Sequence, residues 1–411
     1  MRGISLEKNF HRLKKPIPVP KQLLLSEIFP PIHGGSGRWF YEVYRRLEPG
    51  NFLMVVQESS QDTHEIDSHY PHPILREDLH VDRRILSNWT SIRRYQKISS
   101  RLRNIVRQHQ VSAIHAGRPL HEGLMARWMK IRYGIPYLCF IHGEDINVAT
   151  TSRELKILTQ SVLRNAYRLV ANSNFTVGLL RNDWQVPEEK IALMHPGIDV
   201  SQFSHLTRDP GARKYSAPGD VVLLTVGRLQ KRKGQDAVIR CVAKLRDKHP
   251  NLRYLIAGLG DQESELRKLV ADLSLESQVL FLGAVSNDEL KDCYRECNIF
   301  VMSNRTVGKD CEGFGIVFLE AQAQGIPVIA GASGGTGDAI QDGETGLRID
   351  CQDYENPVHL TEAIDRLVSN PQLRRTMGIC GRKFVTENFD WTQITEKARR
   401  VLNPSKIKVE C

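Results

Sequence analysis

The sequence has no apolar run approaching the ~18 uncharged residues that a membrane-spanning helix needs. Between Met1 and Lys21 it also lacks the apolar core of a secretory signal, so a cytoplasmic location is expected. Cysteine occurs eight times without a Cys-x-x-Cys pair, and Cys293 and Cys297 have no second pair to complete a zinc site. Reduced thiols packed as small apolar groups are therefore expected. Acidic residues are missing from Arg83 to Arg107. There Arg83, Arg84, Arg93, Arg94, Lys97, Arg101, Arg103 and Arg107 alternate at helical spacing with Ile92, Tyr95, Ile98, Leu102, Ile105 and Val106. This pattern predicts a basic amphipathic helix. It is open whether its charged face is simply solvated or meets an anionic membrane surface or an anionic acceptor.

What is present is an ordinary globular composition: 41% hydrophobic and 25% charged residues in 411, with a net charge of +10. That length predicts two or three domains. Residues 1–20 form a basic, Pro-rich extension, to be read either as a disordered tail or as a contact with anionic lipid.

After it, short apolar strands alternate with amphipathic helices, which predicts an α/β fold with parallel sheets. The first series starts with a strand at Gln22–Ile28 and continues with strands near 52–57, 113–115, 137–142 and 169–172. The second starts with the near-continuous apolar run Val221–Val226 and continues with strands near 253–257, 279–282, 299–303 and 327–330. Pro210, Gly211, Pro218 and Gly219 mark a linker between the series. The division is thus 21–205 for a first Rossmann-like domain, 206–219 for the linker, 220–385 for a second Rossmann-like domain, and 386–411 for a C-terminal helix packing back on the first domain. A ligand cleft is expected between the two domains.

Four constellations carry chemistry. In Glu312-Gly-Phe-Gly-Ile-Val-Phe-Leu-Glu320, Gly313 and Gly315 let backbone pack closely around a ligand, and a helix begins near Gly315. Its amides (the stretch Gly313, Phe314, Gly315, Ile316 and Val317) face the loop with the positive end of the helix dipole. Glu312 and Glu320 can accept hydrogen bonds from sugar and ribose hydroxyls. Gly227-Arg228-Leu-Gln-Lys-Arg-Lys233-Gly234 follows a buried strand, and Arg228 and Lys233 suit a diphosphate in a crevice, with Lys231 and Arg232 read as a solvated turn. Gly34-Gly35-Ser-Gly37 could offer amides to a phosphate from the opposite domain. His142, at a strand end pointing toward the same cleft, is either a structural or a functional histidine.

These residues resemble the family-4 retaining glycosyltransferases of the two-Rossmann (GT-B) fold. The resemblance runs from about Leu23 to Trp391 and is strongest from Val221 to Leu347. It rests on the Glu-x7-Glu pair Glu312 and Glu320, the Arg-x4-Lys pair Arg228 and Lys233, the Gly34-Gly35 turn, His142, Ala171-Asn172-Ser173 and Gly197-Ile-Asp199. Ser303–Thr306, Glu320–Ala323 and Ile329–Gly335 are similar in wording to GDP-mannose-dependent phosphatidylinositol mannoside mannosyltransferases. Asp338 stands where relatives often carry a Pro-Glu pair.

The resemblance implies roles. Glu312 would hold the donor sugar and Glu320 the ribose. Arg228 and Lys233 would bind and stabilise the leaving diphosphate, which the Gly35 amide would also meet. His142 would contact the sugar near its reacting carbon, and Gly283, Ala284 and Val285 would meet the base. It further implies transfer of a hexose, mannose from GDP-mannose ahead of a UDP-sugar, to a saccharide or lipid-linked acceptor in cell-envelope or exopolysaccharide biosynthesis, by a cytoplasmic enzyme peripheral to the membrane. No Asp-x-Asp occurs, so neither a metal nor another cofactor is expected, and Arg228 and Lys233 serve the charge role. An epimerase would need an acid/base pair and a phosphorylase a pyridoxal lysine, and neither is evident. A non-catalytic lipid or polyanion binder leaves Glu312 and Glu320 unexplained, because acids hinder polyanion binding, so nucleic acid is not an expected partner.

Overall fold

The computed structural model describes residues 21–32, 34–81, 89–203 and 213–403. The extension 1–20, Arg83, Arg84, Pro210 and Gly211 lie outside them. Two parallel sheets organise the chain. The first holds β1 (Gln22–Ser26), β2 (Phe52–Gln57), β3 (Ile74–Glu77), β4 (Ala113–Ala116), β5 (Tyr137–Ile141), β6 (Arg168–Ala171) and β7 (Ile191–Leu193) in the order β3-β2-β1-β4-β5-β6-β7. The second holds β8 (Val221–Val226), β9 (Leu252–Ala257), β10 (Val279–Gly283), β11 (Ile299–Met302), β12 (Val328–Gly331) and β13 (Gly346–Ile349) in the order β10-β9-β8-β11-β12-β13.

The apolar runs explain this layering. Successive side chains of a strand point to opposite faces, so a run without polar breaks feeds two cores at once. In β1, Leu23 and Leu25 enter one cluster and Leu24 another. In β8, Leu223 joins one cluster while Val222 and Leu224 join a second. The two Rossmann-like halves expected from sequence are therefore present. In each sheet the strand order reverses beside its first strand, between β1 and β4 and between β8 and β11. Crevices outside the carboxyl ends of strands at such points are where open α/β sheets bind ligands.

The basic helix forms as Trp89–Gln108, with Ile98, Leu102, Ile105 and Val106 in the first core. Arg94 pairs with Asp78, and Arg101 with Glu77 at 2.8 Å, while Arg93, Lys97 and Arg107 are exposed.

At the other end of the chain the helix Pro371–Asn388 stays with the second domain through Met377 and Val385. The chain crosses back at Phe389–Trp391. The helix Trp391–Val401 then seats Trp391, Ile394 and Ala398 beside Leu24, Phe40 and Leu138 of the first domain. The Ile198 N–H donates to the Phe389 carbonyl at 2.8 Å, and the Trp391 N–H to the Ile198 carbonyl at 3.2 Å. The outgoing and returning passes are thus stitched side by side.

Candidate active site

The second switch point brings two loops together. Gly234 has φ +75°, and a Cβ there would stand 2.1 Å from the Ser303 carbonyl oxygen, so glycine lets the 227–234 loop close on the segment after β11. Closure aims three donors at one oxygen of Glu312. Lys233 Nζ reaches Oε2 at 2.6 Å, Arg232 Nη1 at 2.9 Å and Asn304 Nδ2 at 2.9 Å. Burial opposes charge on Glu312, but Lys233 and then Arg232 more than offset it and hold the carboxyl below the usual range. Glu312 Oε1 takes no hydrogen bond among the described residues, and the enclosed Asn304 Oδ1 likewise has no partner. These two acceptors are what the pocket has left to offer a hydroxyl-bearing ligand.

Arg232 corrects the sequence reading, which placed it in a solvated turn. It is 5% exposed and also lies 3.5 Å from Glu144 and 3.3 Å from Asp310. The cause is the tight turn Lys231–Lys233, which leaves Lys231 outward and turns the next two cations inward. Arg228 is exposed at the end of β8, and its charge is felt at Lys233.

Glu320 is buried in the helix Ile316–Ala323. It accepts from the Tyr294 hydroxyl at 2.8 Å and from the guanidinium of Arg38, which reaches it from the first domain and whose proton it holds more tightly. Gly34 caps the helix Gly35–Tyr44, which carries Arg38, and a Cβ on Gly35 would lie 3.8 Å from Ile316 Cδ1. The amino ends of the two helices therefore face one gap, with Val317 one residue further in. Both bring unsatisfied N–H groups and positive dipole ends, which suits an anion.

His142, at the end of β5, stands across that gap. Its Nε2 lies 2.9 Å from the Gly117 carbonyl oxygen, which only accepts, so Nε2 carries the hydrogen. Burial lowers its pKa against the opposing charge of Asp145, so the ring is neutral at pH 7. The Glu312–Gly313 loop abuts it: a Cβ on Gly313 would stand 2.5 Å from the His142 carbonyl oxygen.

Not every expected residue converges. Phe314 is buried with its ring 5.6 Å from His195 and 5.8 Å from Phe389, so its side chain packs in the core. Gly283 ends β10 at the sheet edge, and Ala284 and Val285 follow it. The Gly283 carbonyl accepts from Gly258 N–H at 2.8 Å, a contact within the sheet and away from Glu312 and Lys233.

The sequence reading missed Arg38, and it noted Asp338 and the stretch around Asn304 without giving either residue a role. Asp338 accepts from Asn174 N–H at 2.6 Å and pairs with His195 Nε2 at 2.8 Å, so it ties the second domain to the first. No local pattern gives these residues their roles, because each one's partner is distant in the chain or, for Asn304, is recognisable only once the loops close.

Comparison with known proteins bears on this geometry. Residues 33–202 match the family described as Glycosyltransferase Family 4, and residues 212–403 match Glycosyl transferases group 1. A GDP-mannose-dependent alpha-(1-6)-phosphatidylinositol monomannoside mannosyltransferase from Mycolicibacterium smegmatis is 27% identical over 90% of this chain and 94% of its own. A D-inositol 3-phosphate glycosyltransferase from Streptomyces scabiei is 32% identical over 56% of this chain and 52% of its own. Among solved structures, sucrose-phosphate synthase from Thermosynechococcus elongatus superposes with a TM-score of 0.77 at 23% identity, over 93% of this chain and 98% of that one. Anabaena HepE in complex with UDP and glucose gives 0.74 at 18% identity, over 93% and 99%. With the paired switch points, the shared cleft and these matches, the chain belongs to the family-4 glycosyltransferases and has their two-Rossmann fold.

Proposed function

We propose that this glycosyltransferase moves mannose from GDP-mannose to a saccharide or glycolipid acceptor, with retention of anomeric configuration and without a metal ion. The observation that carries the reading is the buried Glu312–Lys233–Arg232–Asn304 cluster at the β8/β11 switch point, with Arg228 exposed at its mouth. Glu312 Oε1 accepts from hydroxyls of the donor sugar. Glu320 takes the ribose once Arg38 yields it. Arg228 and Lys233 meet the diphosphate, and the amides of Gly34, Gly35 and the stretch Gly313–Val317 surround it. Fixed cations aimed at the leaving group gain strength as its charge grows, which lowers the barrier without a metal. Backbone of Gly283–Val285 meets the base. The sugar C1–phosphate oxygen bond breaks as the C1–acceptor oxygen bond forms on the same face, and the acceptor proton passes to the leaving phosphate. Neutral His142 contacts the sugar beside that carbon and needs to gain no proton. Mannose and GDP are favoured because relatives named for that donor match nine-tenths of the chain.

The test is a panel of sugar nucleotides in EDTA, followed by thermal shift and slow donor hydrolysis, with the anomer of the product read by NMR. A response to GDP-mannose and an α-mannosyl product are expected. A response to UDP-sugars alone, dependence on added metal or a β product would each overturn the corresponding part.

The same reading places the enzyme at an anionic membrane, as a step in building envelope glycolipid or exopolysaccharide. Exposed Arg93, Lys97 and Arg107 stand on the helix Trp89–Gln108. The neighbouring helix Leu124–Tyr133 exposes Trp128, Ile131 and Tyr133, of which Ile131 is 65% exposed. Among the described residues no helix is long and apolar enough to span a membrane. Flotation with vesicles containing phosphatidylglycerol should recover the protein and lose it when Arg93 and Lys97 become Glu. Equal recovery would remove the membrane contact.

A further inference from the structure

The first sheet has a switch point of its own, and the residues that follow its two strands carry polar groups that the donor side leaves unused. Glu27 follows β1. Gly117 and Arg118 follow β4 and lead into His121 and Glu122. Glu122 is 3% exposed, and its Oε1 accepts the backbone N–H of Glu27 at 3.0 Å. Its Oε2 is enclosed and has no hydrogen-bond partner among the described residues, and the same holds for Nη2 of Arg118. Arg118 and Glu122 bracket one turn, which the Gly123 N–H closes on the Arg118 carbonyl at 2.8 Å, so the two share one neighbourhood. Tyr95, whose hydroxyl lies 2.5 Å from Nδ1 of His121, feels the charges of Glu122 and Glu27. The Gly117 carbonyl that holds His142 belongs to the residue before Arg118. The cluster therefore adjoins the histidine proposed to stand beside the reacting carbon.

A buried acceptor and a buried donor without partners are unfavourable, and native proteins match such groups with protein, water or ligand. The chemistry of the pair selects the ligand. A bare phosphate would satisfy Arg118 and be repelled by Glu122. A hydrocarbon would satisfy neither. Adjacent hydroxyls on one ring satisfy both, because each hydroxyl donates one hydrogen and accepts through its lone pairs. We propose that Glu122 and Arg118 form the acceptor subsite and hold vicinal hydroxyls of a polyol or saccharide ring, Glu122 accepting through Oε2 and Arg118 donating through Nη2. This rests on the reading of the chain as a GDP-mannose-dependent enzyme whose first domain takes the acceptor.

Hydrolysis of GDP-mannose by water reports the donor side alone. Transfer to methyl α-D-mannopyranoside and to myo-inositol, titrated into the full chain with saturating GDP-mannose, reports the acceptor subsite. At least one of these polyols should be glycosylated. Glu122→Gln and Arg118→Gln should each raise its KM about tenfold or more, as expected for loss of a hydrogen bond to a charged group. Donor hydrolysis, the KM for GDP-mannose and the melting temperature with GDP should stay close to those of the unaltered chain, which also establishes that the variants fold. The proposal is overturned if both variants keep the KM of the unaltered chain. It is also overturned if that chain hydrolyses GDP-mannose yet glycosylates neither polyol. Competition by inorganic phosphate that disappears in Arg118→Gln would assign the subsite to a phosphate instead. If the unaltered chain neither binds nor hydrolyses any sugar nucleotide, the donor reading fails first and the subsite falls with it.

Discussion

Glu312→Gln is expected to reduce sugar transfer by about 10²- to 10³-fold while GDP still binds, as when one preorganised transition-state contact is removed. The change is nearly isosteric, so the loss comes from charge. In the intact site one carboxylate oxygen balances Lys233 and Arg232 and takes the Asn304 amide as well. A neutral amide leaves enclosed Lys233 without its counter-charge and Arg232 with only the more distant Asp310 and Glu144, and breaking a buried pair in this way costs about 3–5 kcal/mol. The melting temperature should therefore fall. A bound diphosphate restores the missing negative charge, so the stabilisation by GDP should exceed that of the unaltered enzyme. Melting curves with and without GDP, alongside turnover, read both effects. A variant that turns over within a few-fold of the unaltered enzyme would remove Glu312 from the reaction, and a smaller stabilisation by GDP would contradict the charge account.

Gly313→Val acts on the gap between the domains. A Cβ at this position would stand 2.5 Å from the His142 carbonyl oxygen and 3.1 Å from Asn172 Nδ2, both on the first domain. Each domain keeps its own apolar clusters, so both still fold. What is lost is the approach of the Glu312 loop to His142. A misplacement near 1 Å costs about 100-fold in rate, and kcat/KM is expected to fall by that order with little change in melting. Small-angle scattering should report a larger radius of gyration. Unchanged kcat/KM would mean that the two domains need not meet at this point during the reaction.

The strands that feed two cores were the most legible part of the sequence. Val221–Val226 and Phe52–Gln57 stand where the apolar runs put them, because a strand covered on both faces has no polar side to blur its ends. The edge strands of the first sheet were not legible. β3 is Ile-Leu-Arg-Glu, four residues that are all partly exposed, and β7 has three residues, so neither offers enough periodicity to separate from a loop. At the site, Glu312, Lys233 and Glu320 could be picked out because spacing and residue type together are unusual. Arg232 could not, because three consecutive basic residues in a turn look alike until the turn's winding decides which faces inward. Arg38 and Glu320 are 282 residues apart, and their contact exists only because two helices present their amino ends to one gap.

The return of the last helix to the first domain has a mechanical consequence. The chain leaves the first sheet after β7, enters the second at β8, and comes back at Phe389–Trp391. At Ile198 the two passes are laced together by a pair of backbone hydrogen bonds. A body held along one such seam has little freedom to slide or to drift away. Opening the cleft therefore also means parting Arg38 from Glu320 and Asp338 from Asn174 and His195, so these ties act as the clasp of a book whose spine is that seam.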